Sequence, residues 1–274
     1  MKFSSKQLAY AAASFVILTG ASFMVRVNAA QKLKPEELVE KHMASIGTPE
    51  ARAAIKSRIV KGVSTVLFRP GPENKSTGNA AIISEGSLLR FSLIFAALNY
   101  PGEDFAFDGK KATTGYVRPG VRSQLAGFVE SNDVLMREGF LGGALSTAWA
   151  LLDPARKPRL EYNGLKKKDG KEYHEMRYLA RRGGGDLRVF MYFDPETFRH
   201  MRTEYRLIMM GKTETQITIT EMFDTFDVAD GLTLPRKYTL RFAIEENLMI
   251  DWEGAFEQIQ HNQPIDPKTF IVQQ

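Results

Sequence analysis

Hydrophobic and polar residues alternate most regularly in the stretch Arg188–Leu207. Its first arm, Val189–Phe193, is apolar on both faces, which is typical of a strand that is covered on both sides. Asp194–Thr197 follows and predicts a turn, because its proline favours the φ angle of the first corner. The returning arm should place two sets of side chains on opposite faces, Met201, Thr203, Tyr205 and Leu207 on one and His200, Arg202, Glu204 and Arg206 on the other. The pattern predicts a β-hairpin with one apolar and one polar face.

Similar segments precede and follow this hairpin and predict further strands. Most are separated by Gly, Pro, Asn or Ser residues, as in a meander of antiparallel strands. The predicted strands are Ile59–Phe68, Thr77–Ser84, Leu88–Phe95, Phe105–Phe107, Thr113–Val117, Arg159–Leu165, Glu172–Ala180, Glu214–Phe223, Leu234–Ile244 and Leu248–Ile259. We therefore expect a large antiparallel sheet to organise the fold.

Helical spacing of apolar residues occurs near the start and in the middle of the chain. Pro35–Ile46 predicts an amphipathic helix, with two glutamates in its first turn and Gly47 as its stop. Pro49–Ser57 predicts a second short helix that is rich in alanine. In Val121–Leu152 the apolar spacing is closer to helical than alternating, and glycines interrupt it. We expect two or three short helices there, lying across the mouth of the sheet.

Residues 1–30 have the pattern of a secretory signal peptide. Two lysines precede the apolar stretch Leu8–Met24. Val27–Ala29 is a small-residue cleavage site, and Asn28–Ala30 is the alternative. The apolar stretch is also just long enough for an uncleaved anchor. Either reading puts the body of the protein outside the cytoplasm, and cleavage predicts a periplasmic protein. Without a linker or a long repeat, residues 31–274 are expected to form a single domain.

Composition and charge narrow the classes of function. The chain has 274 residues, of which 43% are hydrophobic and 25% charged, as in ordinary folded proteins. It has no cysteine, which excludes disulfides, thiolate metal sites, cysteine nucleophiles and an acylated N-terminal cysteine. The formal charge of +5 falls to +2 when Lys2, Lys6 and Arg26 of the signal segment are subtracted. Since the remaining basic residues alternate with acids, nucleic acid is not expected as a partner.

No motif predicts catalysis, a metal or a cofactor. The four histidines, His42, His174, His200 and His261, show no i, i+4 pair and no HExxH motif. Arg181–Asp186 is glycine-rich and basic but lacks the features of a P-loop, so a flexible hairpin tip is expected. Lys166–Lys168 is expected in a solvated turn, with attraction to a membrane surface as the alternative. Calcium-loop and nucleophile-elbow patterns are incomplete. We expect a protein that is not an enzyme.

Four short motifs occur in a characteristic order along the chain. They are Leu38–His42 with Ile46–Gly47, then Phe107–Lys110, Tyr192–Thr197 and Asp230–Pro235. Together they resemble the periplasmic lipoprotein-carrier superfamily, the LolA/LolB-like outer-membrane lipoprotein-sorting proteins. One departure is that Ala112 and Thr113 stand where the family usually has an aromatic residue. The resemblance implies an α+β fold, in which a large curved antiparallel sheet forms an unclosed half-barrel whose concave face is covered by short helices.

The resemblance also implies a function and a binding region. Members bind acyl chains of lipoproteins or other hydrophobic ligands without a cofactor, so we expect an exported, non-enzymatic carrier in envelope lipid or lipoprotein trafficking, as a monomer. Met and aromatic residues suit such adaptable ligands. The residues expected to line the hydrophobic cavity are Phe91, Leu93, Phe95, Phe128, Leu135, Leu141, Leu145, Trp149, Met191, Met201, Tyr205, Leu207, Tyr238, Leu240 and Phe242.

Two alternatives remain open at this point. The same apolar residues can form a filled core instead of a ligand cavity. The fold can also serve as an envelope sensor or scaffold that binds a protein, such as an envelope membrane protein, instead of a lipid.

Overall fold

The computed structural model describes residues 33–69, 74–97, 99–210, 214–245 and 247–272. The predicted signal peptide, residues 1–30, lies outside the described residues. Within the described ranges, no helix has both the length and the apolar character needed to cross a membrane.

Twelve antiparallel strands in the described part of the chain form a single sheet. In chain order they are β1 Ser57–Arg69, β2 Asn74–Glu85, β3 Leu88–Phe95, β4 Gly102–Phe107, β5 Ala112–Thr114, β6 Arg159–Lys168, β7 Lys171–Leu179, β8 Arg188–Phe193, β9 His200–Met210, β10 Glu214–Ala229, β11 Leu232–Ile244 and β12 Leu248–His261. Each predicted strand is present, although β5 is shorter than predicted.

The strand order is β5-β4-β3-β2-β1-β12-β11-β10-β9-β8-β7-β6, so each half of the sheet is a simple meander. The two meanders meet where the first strand pairs with the last, for example at Val66 opposite Trp252. Strands β5 and β6 are the two edges, and no pairing joins them in the described residues. The sheet is therefore unclosed, as predicted.

The sheet is strongly curved. Phe91 on β3 and Tyr238 on β11 are separated by three intervening strands, yet their ring centroids are only 6.0 Å apart. In a flat sheet, four strand spacings would separate them by about 19 Å. The concave face therefore folds over on itself, which gives the half-barrel predicted from the sequence.

Short helices lie on the concave side. They are α1 Pro35–Ile46, α2 Pro49–Ala54, α3 Gln124–Ser131 and α4 Val134–Arg137, with 3-10 turns at Gly143–Leu145 and Pro154–Arg156. A last 3-10 turn, Pro267–Phe270, lies on the opposite face, where Arg90 donates to the carbonyl oxygen of Thr269 at 2.9 Å. Helix α1 has the predicted bounds, whereas α2 ends early because Ser57 already begins β1. The two helices and one 3-10 turn between residues 121 and 152 confirm the prediction of two or three short helices there.

The β8–β9 hairpin departs from the predicted alternation at one position. Phe193 pairs with His200 and Tyr192 with Arg202, so Met201 is an extra residue in a β-bulge. A bulge shifts the side chains that precede it relative to those that follow. The prediction that His200 lies on the polar face is therefore wrong, because its side chain is only 2% exposed and contacts the aromatic core.

The lysine run Lys166–Lys168 is also placed differently from the prediction. It ends strand β6, and the turn is formed by Asp169 and Gly170 after it. Lys168 is partly buried, and its Nζ lies 3.5 Å from a carboxylate oxygen of Glu204. The run is therefore the end of a strand whose last lysine packs on the outer face of the sheet.

Candidate functional site

Residues 121–152, here called the central segment, fill the concave side of the sheet. Most of the segment beyond Leu125 is buried. Phe128 packs against Phe242 of β11, with ring centroids 6.3 Å apart. Phe140 packs against Tyr205 of β9 at 5.4 Å. The segment therefore occupies the space that the curved sheet encloses and does more than cover its mouth.

The structure brings together most of the residues that the sequence selected for a cavity. Leu207 is half-buried against the main buried cluster, and Met201 at the bulge is half-buried outside that cluster. The other thirteen belong to the cluster itself: Phe91, Leu93, Phe95, Phe128, Leu135, Leu141, Leu145, Trp149, Met191, Tyr205, Tyr238, Leu240 and Phe242. In this conformation these side chains contact one another, the sheet contributing one wall and the central segment the other.

A buried carboxylate holds the start of the central segment. The hydroxyl of Ser123 accepts from the backbone N–H of Ala126 at 2.9 Å and so caps α3. The same hydroxyl donates to Glu103 on β4 at 2.6 Å. Tyr100 donates to the other oxygen of Glu103, also at 2.6 Å. Burial raises the pKa of Glu103 from 4.5 to about 7, although both hydrogen bonds oppose this shift.

A second carboxylate holds the middle of the segment. Glu221 on β10 is 1% exposed and accepts from the backbone N–H of Gly142. It also accepts from the hydroxyl of Tyr238 at 2.8 Å and from that of Tyr205. Burial raises the pKa of Glu221, and these hydrogen bonds act in the opposite direction. One carboxylate thus joins three donors from the sheet and the segment.

The third carboxylate belongs to the segment itself. Tyr178 on β7 donates to Glu138 at 2.5 Å. Burial, followed by the adjacent carboxylate, raises the pKa of the Tyr178 phenol. In the described ranges, none of Glu103, Glu138 and Glu221 lies within 4.0 Å of a cationic nitrogen. Hydroxyl and N–H donors therefore satisfy these buried acids without a salt bridge.

The segment is attached to the sheet without being part of it. In the described chain, no pairing of sheet strands includes a residue of the segment. Its backbone takes left-handed conformations at Gly139, Leu141 and Gly142, with φ of 82°, 61° and 76°. A leucine in this region is strained because its Cβ approaches the following carbonyl. The hydrogen bonds between the strands therefore do not involve the segment.

Sequence reasoning missed the three glutamates, although a signal for two of them was present. Glu221 lies between Ile219 and Phe223 at a spacing of two, in phase with buried side chains. Glu103 has the same relation to Phe105 and Phe107. A carboxylate at a core-facing strand position predicts a buried polar contact.

At the α1–α2 end of the interior lies a cavity of about 400 Å³, here called the basic cavity. Its wall includes the cations Arg52, Lys56, Arg58 and Arg199. Of the residues predicted to line a hydrophobic cavity, Trp149 alone contributes to this wall in the described structure. The three cations within residues 52–58 were a usable sequence signal, whereas the approach of Arg199 depends on the fold.

Two of the histidines lie together beside Trp149. The His42 ring is 4.4 Å from the Trp149 ring and 6.2 Å from that of His200, between centroids. Burial lowers the pKa of His42 to about 3 and that of His200 well below its ordinary value. Both imidazoles are therefore neutral at physiological pH. In the part of the chain that the structure describes, no group of three or more metal-ligating side chains is arranged to hold a metal ion.

No protein-family model matches the chain, and no characterised protein matches its sequence. Among solved structures, a LolA superfamily protein from Nitrosomonas europaea is similar over 88% of this chain and 98% of its own, with a TM-score of 0.50 and 11% identity. An outer membrane lipoprotein-sorting domain from Vibrio parahaemolyticus covers 86% of this chain and 97% of its own, with a TM-score of 0.45 and 10% identity. At this identity the likeness concerns the fold alone. The chain has the LolA-like fold that its short motifs resemble.

Proposed function

We propose that the protein is an exported, non-enzymatic carrier that binds a lipid or lipoprotein acyl chain inside the half-barrel and serves trafficking in the periplasm. The observation that carries this proposal is the construction of the interior. Its concave wall is apolar, and the space within it is filled by a segment that forms no part of the sheet. An acyl chain can replace that segment and contact the same wall.

A long alkyl chain would replace more of the lost packing than a short one. Moving the central segment away exposes apolar side chains of the sheet such as Phe91, Met191 and Phe242. Burying one methylene contributes about 0.8 kcal/mol, so about ten methylenes contribute about 8 kcal/mol. This contribution replaces part of the packing that is lost, and relief of the strained backbone at Leu141 adds to it. The ligand is therefore expected to be long and apolar.

The first test is uptake of a fluorescent acyl probe by the mature protein after removal of co-purified lipid. We expect saturable binding with an emission shift to shorter wavelength, because the probe enters an apolar environment. A probe without an alkyl chain is the control and is expected to remain in water. If the delipidated protein shows no saturable uptake, the interior is a permanent core and the carrier proposal is wrong.

A reversible covalent link tests whether the central segment must move. The hydroxyl oxygens of Ser84 on β2 and Thr147 in the segment are 3.0 Å apart. The chain has no cysteine, so Ser84→Cys combined with Thr147→Cys provides one defined disulfide. The oxidised double variant should lose acyl uptake, and reduction should restore it. Thr147→Cys alone is the matched control, and equal uptake by the oxidised and reduced forms would contradict the proposed movement.

A further inference from the structure

The basic cavity combines positive charge with an absence of acids. Arg52 and Lys56 come from α2 and the turn after it, Arg58 from β1, and Arg199 from the turn before β9. Its described lining contains no aspartate or glutamate. Nor does any of these cations lie within 4.0 Å of a described carboxylate oxygen. Most other described arginines pair directly with an acid, whereas no acid contacts these four cations.

Arg58 is the most buried of these cations, with an exposed fraction of 4%. Its Nε donates to Nε2 of His261 at 3.0 Å, and Nδ1 of the same imidazole is 2.7 Å from a carboxylate oxygen of Asp230. A neutral imidazole therefore stands between Arg58 and the acid. In the described chain, the two terminal nitrogens of the Arg58 guanidinium make no hydrogen bond. Burial lowers the pKa of Arg58 to about 10, so an anion in the cavity would favour its charged form.

The inner wall of the cavity is polar as well as aromatic. His42, Trp149 and His200 all line it, and each has one buried nitrogen without a hydrogen-bond partner in the described residues. These nitrogens are His42 Nε2, Trp149 Nε1 and His200 Nδ1. Buried polar groups without partners are uncommon in native proteins, because each carries the cost of lost hydration.

The tautomer of His42 follows from its other contact. Its Nδ1 lies 2.9 Å from the carbonyl oxygen of Phe198, which can only accept, so Nδ1 carries the proton. Because His42 is neutral, Nε2 is an acceptor. Trp149 Nε1 can only donate. These nitrogens are enclosed by the packed rings of His42, Trp149 and His200, so the wall presents mainly aromatic surface to the cavity.

The remaining wall is apolar and includes Ile46, Phe226 and Leu234. Arg199 lies over the Phe226 ring, with its guanidinium carbon 5.2 Å from the ring centroid, so an aromatic face orients this cation. A volume of about 400 Å³ is within the range of small-molecule sites. The cavity thus combines cations, an aromatic inner wall and an apolar side.

We propose that the basic cavity binds a phosphate ester, such as a glycerol phosphate group, with Arg58 and Arg199 contacting the phosphate and the apolar and aromatic wall contacting its organic part. Guanidinium groups form paired, charge-assisted hydrogen bonds with phosphate oxygens. The phosphate ester is either a soluble metabolite or the head group of a lipid. This inference does not require the interior to accept an acyl chain.

Calorimetric titration of the mature protein with glycerol 3-phosphate tests the site. We expect saturable binding of glycerol 3-phosphate, weaker binding of inorganic phosphate and no binding of glycerol. Arg58→Met keeps an unbranched apolar stem and removes the charged guanidinium group, and should weaken binding at least tenfold. Arg236→Met removes an arginine outside the cavity, paired with Asp227, and should leave binding unchanged.

A second pair of variants and a vesicle assay complete the test. Arg199→Met and Lys56→Met change a half-buried and an exposed cation of the cavity, so they test the site even if Arg58→Met does not fold. Binding to phosphatidylglycerol vesicles but not to glycerol 3-phosphate, with loss in these variants, would support a lipid head group as the source. Absence of binding to both probes, or binding unaffected by every cavity variant, would overturn the proposal. Because glycerol 3-phosphate has no alkyl chain, its result is independent of acyl uptake.

Discussion

Two parts of the interior treat their ionisable side chains differently. Around the central segment, the acids Glu103, Glu138 and Glu221 are buried, and protein hydroxyls or N–H groups satisfy them. In the basic cavity, Arg58 and Arg199 have no described acid beside them, and the inner wall retains polar nitrogens without partners. The first arrangement is complete within the protein. In the basic cavity, the cations would gain partners when an anionic ligand binds.

This difference separates a structural role from a binding role. A buried polar group that is fully satisfied by the protein contributes to specificity of packing, and removing one member leaves its partners unpaired. A buried charge without partners lowers stability in the absence of ligand and becomes favourable when the ligand arrives. Substitutions in the two regions should therefore change the free energy of unfolding by different amounts and in different directions.

The largest effect is expected at Glu221. Glu221→Ala leaves the hydroxyls of Tyr205 and Tyr238 and the N–H of Gly142 without their acceptor. At about 1–3 kcal/mol for each of the three unsatisfied buried groups, the free energy of unfolding should fall by about 3–9 kcal/mol. Urea denaturation measures this change. Glu221→Gln keeps one acceptor oxygen, so its free energy of unfolding should fall less. A fall below about 1 kcal/mol for Glu221→Ala would show that these hydrogen bonds do not hold the segment.

The next effect concerns pH and Glu103. Its pKa is raised from 4.5 to about 7 in the folded protein, so it stabilises the fold below its ordinary pKa, and this contribution is lost as the pH rises through about 7. At about 1.4 kcal/mol per pKa unit, the wild type should lose about 3 kcal/mol relative to Glu103→Gln between pH 4 and pH 8. Unfolding free energies of both proteins across this range provide the measurement. A difference that does not vary with pH would contradict the raised pKa.

A smaller change in the free energy of unfolding is expected for a substitution in the basic cavity. Arg58→Met removes a buried charge, and this gain offsets the unpaired acceptor left on His261. The free energy of unfolding of the ligand-free protein should therefore change by less than about 1 kcal/mol. With glycerol 3-phosphate at about 100 times its dissociation constant, the wild type should gain about 2.7 kcal/mol and the variant should gain little. A large loss of stability without ligand would instead assign Arg58 a structural role.

The smallest effect is expected at an exposed ion pair. Arg236 lies 3.2 Å from Asp227, whose side chain is 63% exposed. Water screens such a pair, so Arg236→Met should change the free energy of unfolding by at most about 0.5 kcal/mol. Thermal denaturation of this variant sets the baseline against which the effects at Glu221 and Arg58 are judged. A change above about 1 kcal/mol would mean that surface charges influence this fold more than assumed.

Much of the fold was predictable because it depends on local patterns. Alternation or short apolar runs located the strands of the two meanders, and α1 was bounded by its proline and Gly47. The bulge at Met201 was not predictable, since an unpaired residue becomes visible only when both strands are aligned. The same displacement brought His200 into the core and next to His42, 158 positions away in the chain.

The candidate site was predictable only in part. The apolar spacing selected side chains such as Phe91, Tyr205 and Phe242, which do lie in one cluster. Whether that cluster surrounds a ligand or the chain's own central segment depends on how far the sheet curves, and curvature accumulates over many strand pairs. In the described conformation the segment occupies the space, and opening of the interior to a ligand stays a prediction.

The sequence by itself determined the sheet, the short helices and an apolar concave face, because periodicity of two or of about 3.6 residues acts over a few neighbouring positions. The tertiary structure alone decided that the central segment fills the interior and that buried glutamates hold it there. It also decided that Arg58 and Arg199 share a cavity without acids. Such charge arrangements arise from residues far apart in the chain, and no local pattern encodes their distance.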